Sequence, residues 1–185
     1  KTFSQLDSIG NMYLKASNGE GDEKAFYKSK QFKGLLDWSR DGRYILYLSL
    51  SQIPGVAMDM WVLPLFGERK PFLFLQSASH GQFSPDGHWV TYAEPYASNV
   101  ERKMNVYVRP FPTGDRKWQI SPNGGVMPRW RGDGKELFYW TEDRKLMSVE
   151  VKTKTDFQFS SPQVLFEAAG FEKDPGRRNY AVSPD

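Results

Sequence analysis

The sequence predicts an all-β fold, a β-propeller segment of four-stranded blades, and two observations carry this prediction. The first is a ten-residue motif with three complete copies, Trp38–Tyr47, Phe83–Tyr92 and Trp130–Tyr139. Each copy begins with an aromatic residue, passes through a polar turn that contains Asp-Gly, and closes on a tyrosine. The second is spacing. Counting a partial copy that ends at Asp185, the motif aspartates lie 45, 47 and 52 residues apart, which is the length range of one propeller blade.

Each motif predicts a β-hairpin. In Ser84-Pro85-Asp86-Gly87 the serine suits the first position of a type I turn, proline fixes φ at the second, and glycine supplies the positive φ that the hairpin needs. The residues after the turn, Trp89–Tyr92, are β-branched or aromatic and suit a pleated surface. We therefore expect the aspartates Asp41, Asp86 and Asp133 to shape turns through local hydrogen bonds rather than to act in catalysis or bind a metal.

Between the motifs the chain repeats a second unit, an apolar strand followed by a polar turn and another strand. Its four copies begin at Asn11, Asp59, Asn105 and Lys145. Two strands from the motif and two from this unit make four strands per repeat. The sequence thus predicts one propeller domain over residues 1–185, with blade repeats at about 1–34 (partial), 35–79, 80–127, 128–177 and 178–185 (partial).

The two partial repeats predict a fragment of a larger propeller. The N-terminal repeat is a half-blade without a motif, and the C-terminal repeat is a partial strand, Val182–Asp185, that stops before the expected glycine. A four-bladed ring would close only if this strand joined the N-terminal half-blade. In the favoured alternative the exposed edge blades pair with the missing remainder of the propeller, because unpaired strand edges invite pairing.

Composition excludes several functional classes. The 25 basic and 22 acidic residues are spread along the chain, so a net charge of +3 does not predict nucleic-acid binding. The absence of cysteine and the presence of only two histidines predict neither a metal site nor a disulfide, and no cofactor is expected. No apolar run of about 18 residues occurs, so we expect no membrane span in this chain.

The candidate binding residues lie on one loop face, because long loops are where contacts are usually made. The connections from the second to the third strand, 49–58 and 93–104, are long, and in a propeller they share one end with the loops 76–82 and 121–129 that enter the innermost strands. For each candidate a role without ligand contact remains open: Asp37, Gln82 and Arg129 precede the motif aromatic, so alternation turns them away from it and they can simply line a solvated channel. The candidates are Asp37, His80, Gln82, Tyr96, Arg102, Asn123, Arg129 and Trp140.

The motif Phe83-Ser84-Pro85-Asp86-Gly87, with the aromatic strand after it, resembles the TolB-type, WD-like β-propeller repeat of bacteria, and the resemblance covers most of the chain. The segments Trp61–Leu65, Val106–Pro112 and Pro128–Arg131 are similar to the propeller region C-terminal to the kinase domain in bacterial eukaryotic-like serine/threonine kinases. The resemblance implies a sensor or interaction domain in the extracytoplasmic or periplasmic space. Its implied ligand is a protein, a peptide or a component of the cell envelope.

Catalysis is not expected from these residues. The sequence contains no Gly-rich nucleotide loop, no His-Arg-Asp catalytic loop and no Asp-Phe-Gly, so it cannot itself transfer phosphoryl groups. Asp37 is the only acid at its position in the repeat, since Gln82 and Arg129 replace it, which argues against an acid/base pair. The alternative is the gating propeller of a prolyl-oligopeptidase-type serine hydrolase, whose Gly-x-Ser-x-Gly nucleophile turn is absent from the chain.

Overall fold

The structure, a computed structural model, describes residues 2–4, 10–95, 103–153, 156–168 and 180–183. Within these ranges the chain forms sixteen β-strands and no helix, and the strands assemble into four antiparallel sheets that follow one another in chain order. The described ranges accordingly contain no helix long and apolar enough to cross a membrane.

Each sheet is a meander of strands that are neighbours in sequence. The first sheet has three strands, β1 (Thr2–Ser4), β2 (Met12–Lys15) and β3 (Lys24–Tyr27). The second sheet has four, β4 (Lys33–Trp38), β5 (Tyr44–Leu50), β6 (Met58–Pro64) and β7 (Phe72–Leu75). The third sheet has four, β8 (Ser79–Phe83), β9 (Trp89–Pro95), β10 (Met104–Pro110) and β11 (Trp118–Gln119).

The fourth sheet divides its outermost position between two short strands. Its strands are β12 (Val126–Trp130), β13 (Glu136–Trp140), β14 (Lys145–Lys152), β15 (Gln158–Phe159) and β16 (Gln163–Glu167). One edge of β14 pairs with β15 near Val151 and with β16 from Lys145 to Ser148. Between these two pairings, the carbonyl of Glu150 accepts a hydrogen bond from the N–H of Ser160 at 3.0 Å, and its N–H donates to Oγ of Ser160 at 3.1 Å.

The three motifs form the same hairpin. The N–H groups of Gly42, Gly87 and Gly134 donate across the turn to the carbonyl three residues earlier, and these glycines have φ of 73° to 74°, a conformation that favours glycine. The aspartate before each glycine accepts a hydrogen bond from the backbone N–H two residues after it, at 3.0 to 3.1 Å. The aspartates therefore form the turns, as the pattern predicts.

Apolar clusters fill the spaces between successive sheets. The tyrosines that close the motifs, Tyr47, Tyr92 and Tyr139, are at most 2% exposed, and each faces the preceding sheet. Burying a large apolar side chain stabilises a fold by about 1.5 to 3 kcal/mol, so the repeat places its strongest apolar contacts between sheets. The same burial raises the pKa of the Tyr139 hydroxyl to about 12.

These findings confirm the predicted fold class. The described residues form antiparallel sheets, in which the inner pair of strands comes from the motif and the outer strands from the second unit. Radial packing of such sheets through alternate apolar faces is the arrangement of a β-propeller. The innermost strands β4, β8 and β12 consequently begin at one end of the molecule, where the candidate loops lie.

Candidate ligand-binding face

Asp37 and Gln82 each join the inner strand of one sheet to that of the next. Oδ2 of Asp37 accepts a hydrogen bond from the N–H of Phe83 at 2.9 Å, and Oε1 of Gln82 accepts one from the N–H of Trp130 at 2.8 Å. A buried N–H left without an acceptor costs about 1 to 3 kcal/mol. These two side chains, which we call the inter-sheet latches, therefore stabilise the junctions between sheets.

Arg129 takes the equivalent position in the fourth sheet, where a guanidinium can only donate hydrogen bonds. The residue is 6% exposed, and its Nη1 donates to the carbonyl oxygen of Pro128 at 2.9 Å. Its guanidinium lies 6.0 Å from the ring centre of Tyr180, whose hydroxyl donates to the carbonyl of Met127 at 2.7 Å. Arg129 thus contacts the segment 180–183 through an aromatic ring instead of forming a latch.

Trp140 is the last residue of β13 and is only 3% exposed. Its ring meets Phe166 and Tyr180 edge to face, with ring centres 5.9 and 6.0 Å apart. The side chain therefore packs in an apolar cluster on the face of the fourth sheet that points away from the third sheet, so it is buried rather than exposed on the loop face where the sequence predicts it.

His80 and Asn123 lie where connections enter the inner strands β8 and β12. Asn123 is exposed in a turn. His80 is half-buried, has φ of 55°, and places Nδ1 3.0 Å from Oγ of Ser79. Both lie at the opposite end of the strands from the motif turns, and Asn123, whose side chain is exposed, is the described candidate best placed to meet a ligand. Tyr96 and Arg102 lie outside the described residues.

A recurring polar clamp, which the sequence patterns do not predict, fixes the connections on this face. In three sheets a side-chain oxygen at the start of the strand next to the outermost one, or just before it, accepts a hydrogen bond from a serine in the connection that leaves the outermost strand. Equivalent positions in the second repeat unit carry the accepting residues, which is the signal that sequence comparison within the chain offers. The pairs are Asn11 with Ser29 (3.0 Å), Asp59 with Ser77 (3.1 Å) and Asn105 with Ser121 (3.5 Å).

The clamps give the loop face a fixed shape. Asp59 and Asn105 are each 6% exposed, so the connections they hold are tied to the body of the sheets. Connections that are ordered before binding lose less conformational entropy when a ligand binds. Between the clamps, the exposed amide of Asn123 can donate and accept hydrogen bonds, whereas His80 has Nδ1 beside Oγ of Ser79 and a buried Nε2. The described residues hold no group of three or more His, Cys, Asp or Glu side chains that could share a metal ion.

Sheet geometry and packing define this chain as part of the β-propeller class, and comparison with solved structures agrees. No protein-family model matches the chain, and no curated protein matches it. Among solved structures it is similar to TolB from Acinetobacter baumannii, with a TM-score of 0.57, 14% identity, and coverage of 82% of this chain and 37% of that one. A protein from Bacteroides fragilis gives a TM-score of 0.52, 13% identity, and coverage of 94% and 54%.

Hydrazine synthase from Kuenenia stuttgartiensis gives a TM-score of 0.50 at 10% identity, with coverage of 80% of this chain and 49% of that one. These likenesses show the TolB-like propeller fold. The chain spans between 37% and 54% of the length of these three solved chains.

Proposed function

We propose that this chain is a non-catalytic propeller module that binds a protein, a peptide or a cell-envelope ligand through its loop face. The observation that supports this most is the set of clamped connections, in which buried Asp59 and Asn105 hold the loops beside His80 and Asn123. Rigid loops that carry polar side chains on a β-scaffold are a usual basis for recognition. At the other end of the strands, the carboxylates of the motif turns accept hydrogen bonds within their own turns.

A matched pair of substitutions tests this proposal. Asn123→Arg adds a long cation to the loop face, and His88→Arg adds the same group to the exposed turn at the opposite end. Immobilised wild type and both variants are exposed to bacterial envelope extract, and captured proteins are quantified by mass spectrometry. We expect Asn123→Arg to lose specific partners that His88→Arg retains. Equal capture by all three would contradict binding through the loop face.

We further propose that the module belongs to a larger bacterial protein of the eukaryotic-like serine/threonine kinase type, in which it serves as a sensor or interaction domain. Support comes from the resemblance of segments such as Val106–Pro112 to the propeller region of those kinases. The coding sequence on both sides of the chain tests this. A kinase domain upstream is the expected result, and an α/β-hydrolase domain downstream would instead favour the gating propeller of a serine hydrolase.

A further inference from the structure

Lys33, the first residue of β4, is a buried lysine at the loop-face end of the second sheet. It is only 4% exposed. Its Nζ donates a hydrogen bond to Oγ of Ser29 at 2.7 Å and lies 5.6 Å and 5.3 Å from the ring centres of Tyr27 and Tyr47. A lysine is almost never fully buried unless its charge is paired, so the surroundings of this ammonium group need to be accounted for.

No carboxylate pairs with Lys33 within the described part of the chain. Burial lowers the pKa of Lys33, and no neighbouring acid opposes that shift. The hydroxyls of Tyr27 and Tyr47 stay neutral, because burial raises the pKa of both. The two rings attract the cation but carry no net charge. Lys33 is therefore a buried cation without an anion, an arrangement that destabilises a fold.

The other sheets place small residues at this position. Strand pairing identifies the equivalent residues, because each directly precedes the residue that faces the position after the motif tyrosine. They are Lys33, Ala78 and Gly125. A Cβ at Gly125 would lie 2.6 Å from Cδ2 of Tyr139, so in the fourth sheet there is no room for any side chain. The repeat does not require a lysine here, and a residue that departs from the structural rules of its fold is typical of a functional site.

The connection that leads into β4 surrounds Lys33 with further donors. Lys28 and Lys30 are exposed, and neither forms an ion pair with a described residue. Ser29 is half-buried between them, and its Oγ also accepts a hydrogen bond from the N–H of Gln31 at 3.1 Å. The clamp from Asn11 fixes the backbone of Ser29 at 3.0 Å. Ser29 thus links the buried ammonium group to a positively charged stretch of the loop face.

We propose that this connection, with Lys28, Lys30 and Lys33 around Ser29, is an anion-binding site that takes a carboxylate or phosphate group of the ligand on the loop face. An anion beside Ser29 lies in the field of the buried ammonium group, where a low dielectric strengthens attraction. Lysines act as point charges, so both groups fit them. The site deepens the proposed function and rests on it for its natural ligand, but its binding of small anions can be measured alone.

The test uses the 185-residue chain near neutral pH, with inorganic phosphate and glutarate as separate probes and sodium chloride to hold the ionic strength constant. NMR follows the amide signals of Gln31, in the site, and of Gly134, in a motif turn at the opposite end. We expect a saturable shift at Gln31 and none at Gly134. The probe that binds more tightly identifies the group that the site prefers.

Two matched variants locate the binding. Lys33→Met keeps a long side chain without the charge and should weaken binding by about tenfold or more, as expected when a buried charge loses its partner. Lys135→Met removes an exposed lysine from a motif turn and should change binding by less than about twofold. Equal affinity of wild type and Lys33→Met, or no saturable shift at Gln31 with either probe, would overturn the proposal.

Thermal unfolding separates a binding role of Lys33 from a structural one. In chloride alone Lys33→Met should unfold at a higher temperature than wild type, because an apolar residue replaces an unpaired buried charge. Phosphate should stabilise wild type by binding, and Lys33→Met only through the general effect of that salt. A lower unfolding temperature for Lys33→Met in chloride would contradict the proposal. Neither measurement depends on partner capture, so this site and the loop-face proposal can fail separately.

Discussion

At the residue scale, the aspartate of each motif is the side chain that shapes the repeated turn. Asp86 accepts hydrogen bonds from the hydroxyl of Ser84 at 2.5 Å and from the N–H of His88 at 3.1 Å, and Asp41 makes the same pair of contacts in its own turn. In the third motif Arg131 replaces the serine and donates to Asp133 through Nε at 2.9 Å. The aspartate is thus the constant part of the turn, and its donors vary.

Asp86→Ala removes the carboxylate oxygen that accepts both hydrogen bonds in the second turn, and we expect it to lower the free energy of unfolding by about 1 to 2 kcal/mol, the usual range for one or two lost hydrogen bonds. Urea denaturation measures the change. Asp115→Ala, at an exposed position in a connection, is the matched control and should leave stability within about 0.5 kcal/mol of wild type. A similar effect of the two substitutions would show that Asp86 does not organise the turn.

The lowered pKa of Asp133 predicts that the stability of the folded state depends on pH. Hydrogen bonds from the Arg131 side chain and then from the N–H of Lys135 lower the pKa of its carboxyl to about 2. Because the unfolded value is about 3.9, the ionised carboxylate stabilises the folded state above that pH, and the contribution is lost as the pH falls toward 2.

Replacing Arg131, the side-chain donor, should raise the lowered pKa of Asp133. We expect Arg131→Leu to raise the pKa of Asp133 toward about 3.9, as measured by NMR titration of its carboxyl carbon. Arg116→Leu removes an exposed arginine that lies near Asp156 instead and should leave the titration of Asp133 unchanged. If the pKa were the same in both variants, the pairing with Arg131 would not be its cause.

At the element scale, the junctions between sheets determine which substitutions destabilise the fold. The two junctions that link the second, third and fourth sheets each combine an apolar cluster with a latch, and the latch residue stands directly before the motif aromatic. The sequence reveals the strands and their alternation, but it does not reveal that Gln82 reaches the N–H of Trp130, 48 residues away. Such a contact depends on how two sheets pack, which local patterns do not encode.

Gln82→Leu tests the latch. It leaves the buried N–H of Trp130 without its acceptor, and we expect a loss of about 1 to 3 kcal/mol together with faster hydrogen exchange at the Trp130 amide. Gln82→Glu retains an oxygen at the same place and should preserve that protection. Gln76→Leu, an exposed residue nearby in the chain, is the control. Unchanged exchange at Trp130 in Gln82→Leu would mean that the bond does not stabilise the junction.

A substitution at Gly81 tests how closely the second and third sheets approach each other. A Cβ at this position would lie 2.5 Å from Cδ2 of Leu46 and 2.8 Å from Cε of Met60, so Gly81→Ala should destabilise the protein by about 1 to 3 kcal/mol. In a Leu46→Val background, which removes the nearest atom, the penalty should shrink. Gly34→Ala, where the added atom meets only ordinary contacts, is the control. An equal penalty in both backgrounds would contradict this packing.

At the scale of the whole molecule, the sheets stack in chain order, and each apolar cluster joins neighbours. Among the described residues no such cluster connects the first sheet with the fourth. The fold class could be predicted because hairpin chemistry and spacing recur in every copy. The candidate face could be predicted only in part: Asp37 and Gln82 act as latches, Trp140 is buried, and the clamps at Asp59 and Asn105 become visible only when the loops are seen beside the strands.

The two histidines, which lie at opposite ends of the strands, allow the central claim to be tested directly. His80 lies on the loop face and His88 in an exposed motif turn. The measurement is the NMR shift of both imidazole rings, in protein labelled at histidine, when a partner captured from envelope extract is added. Binding through the loop face predicts that the His80 signals move and those of His88 do not. Movement of His88 with His80 unchanged would contradict it.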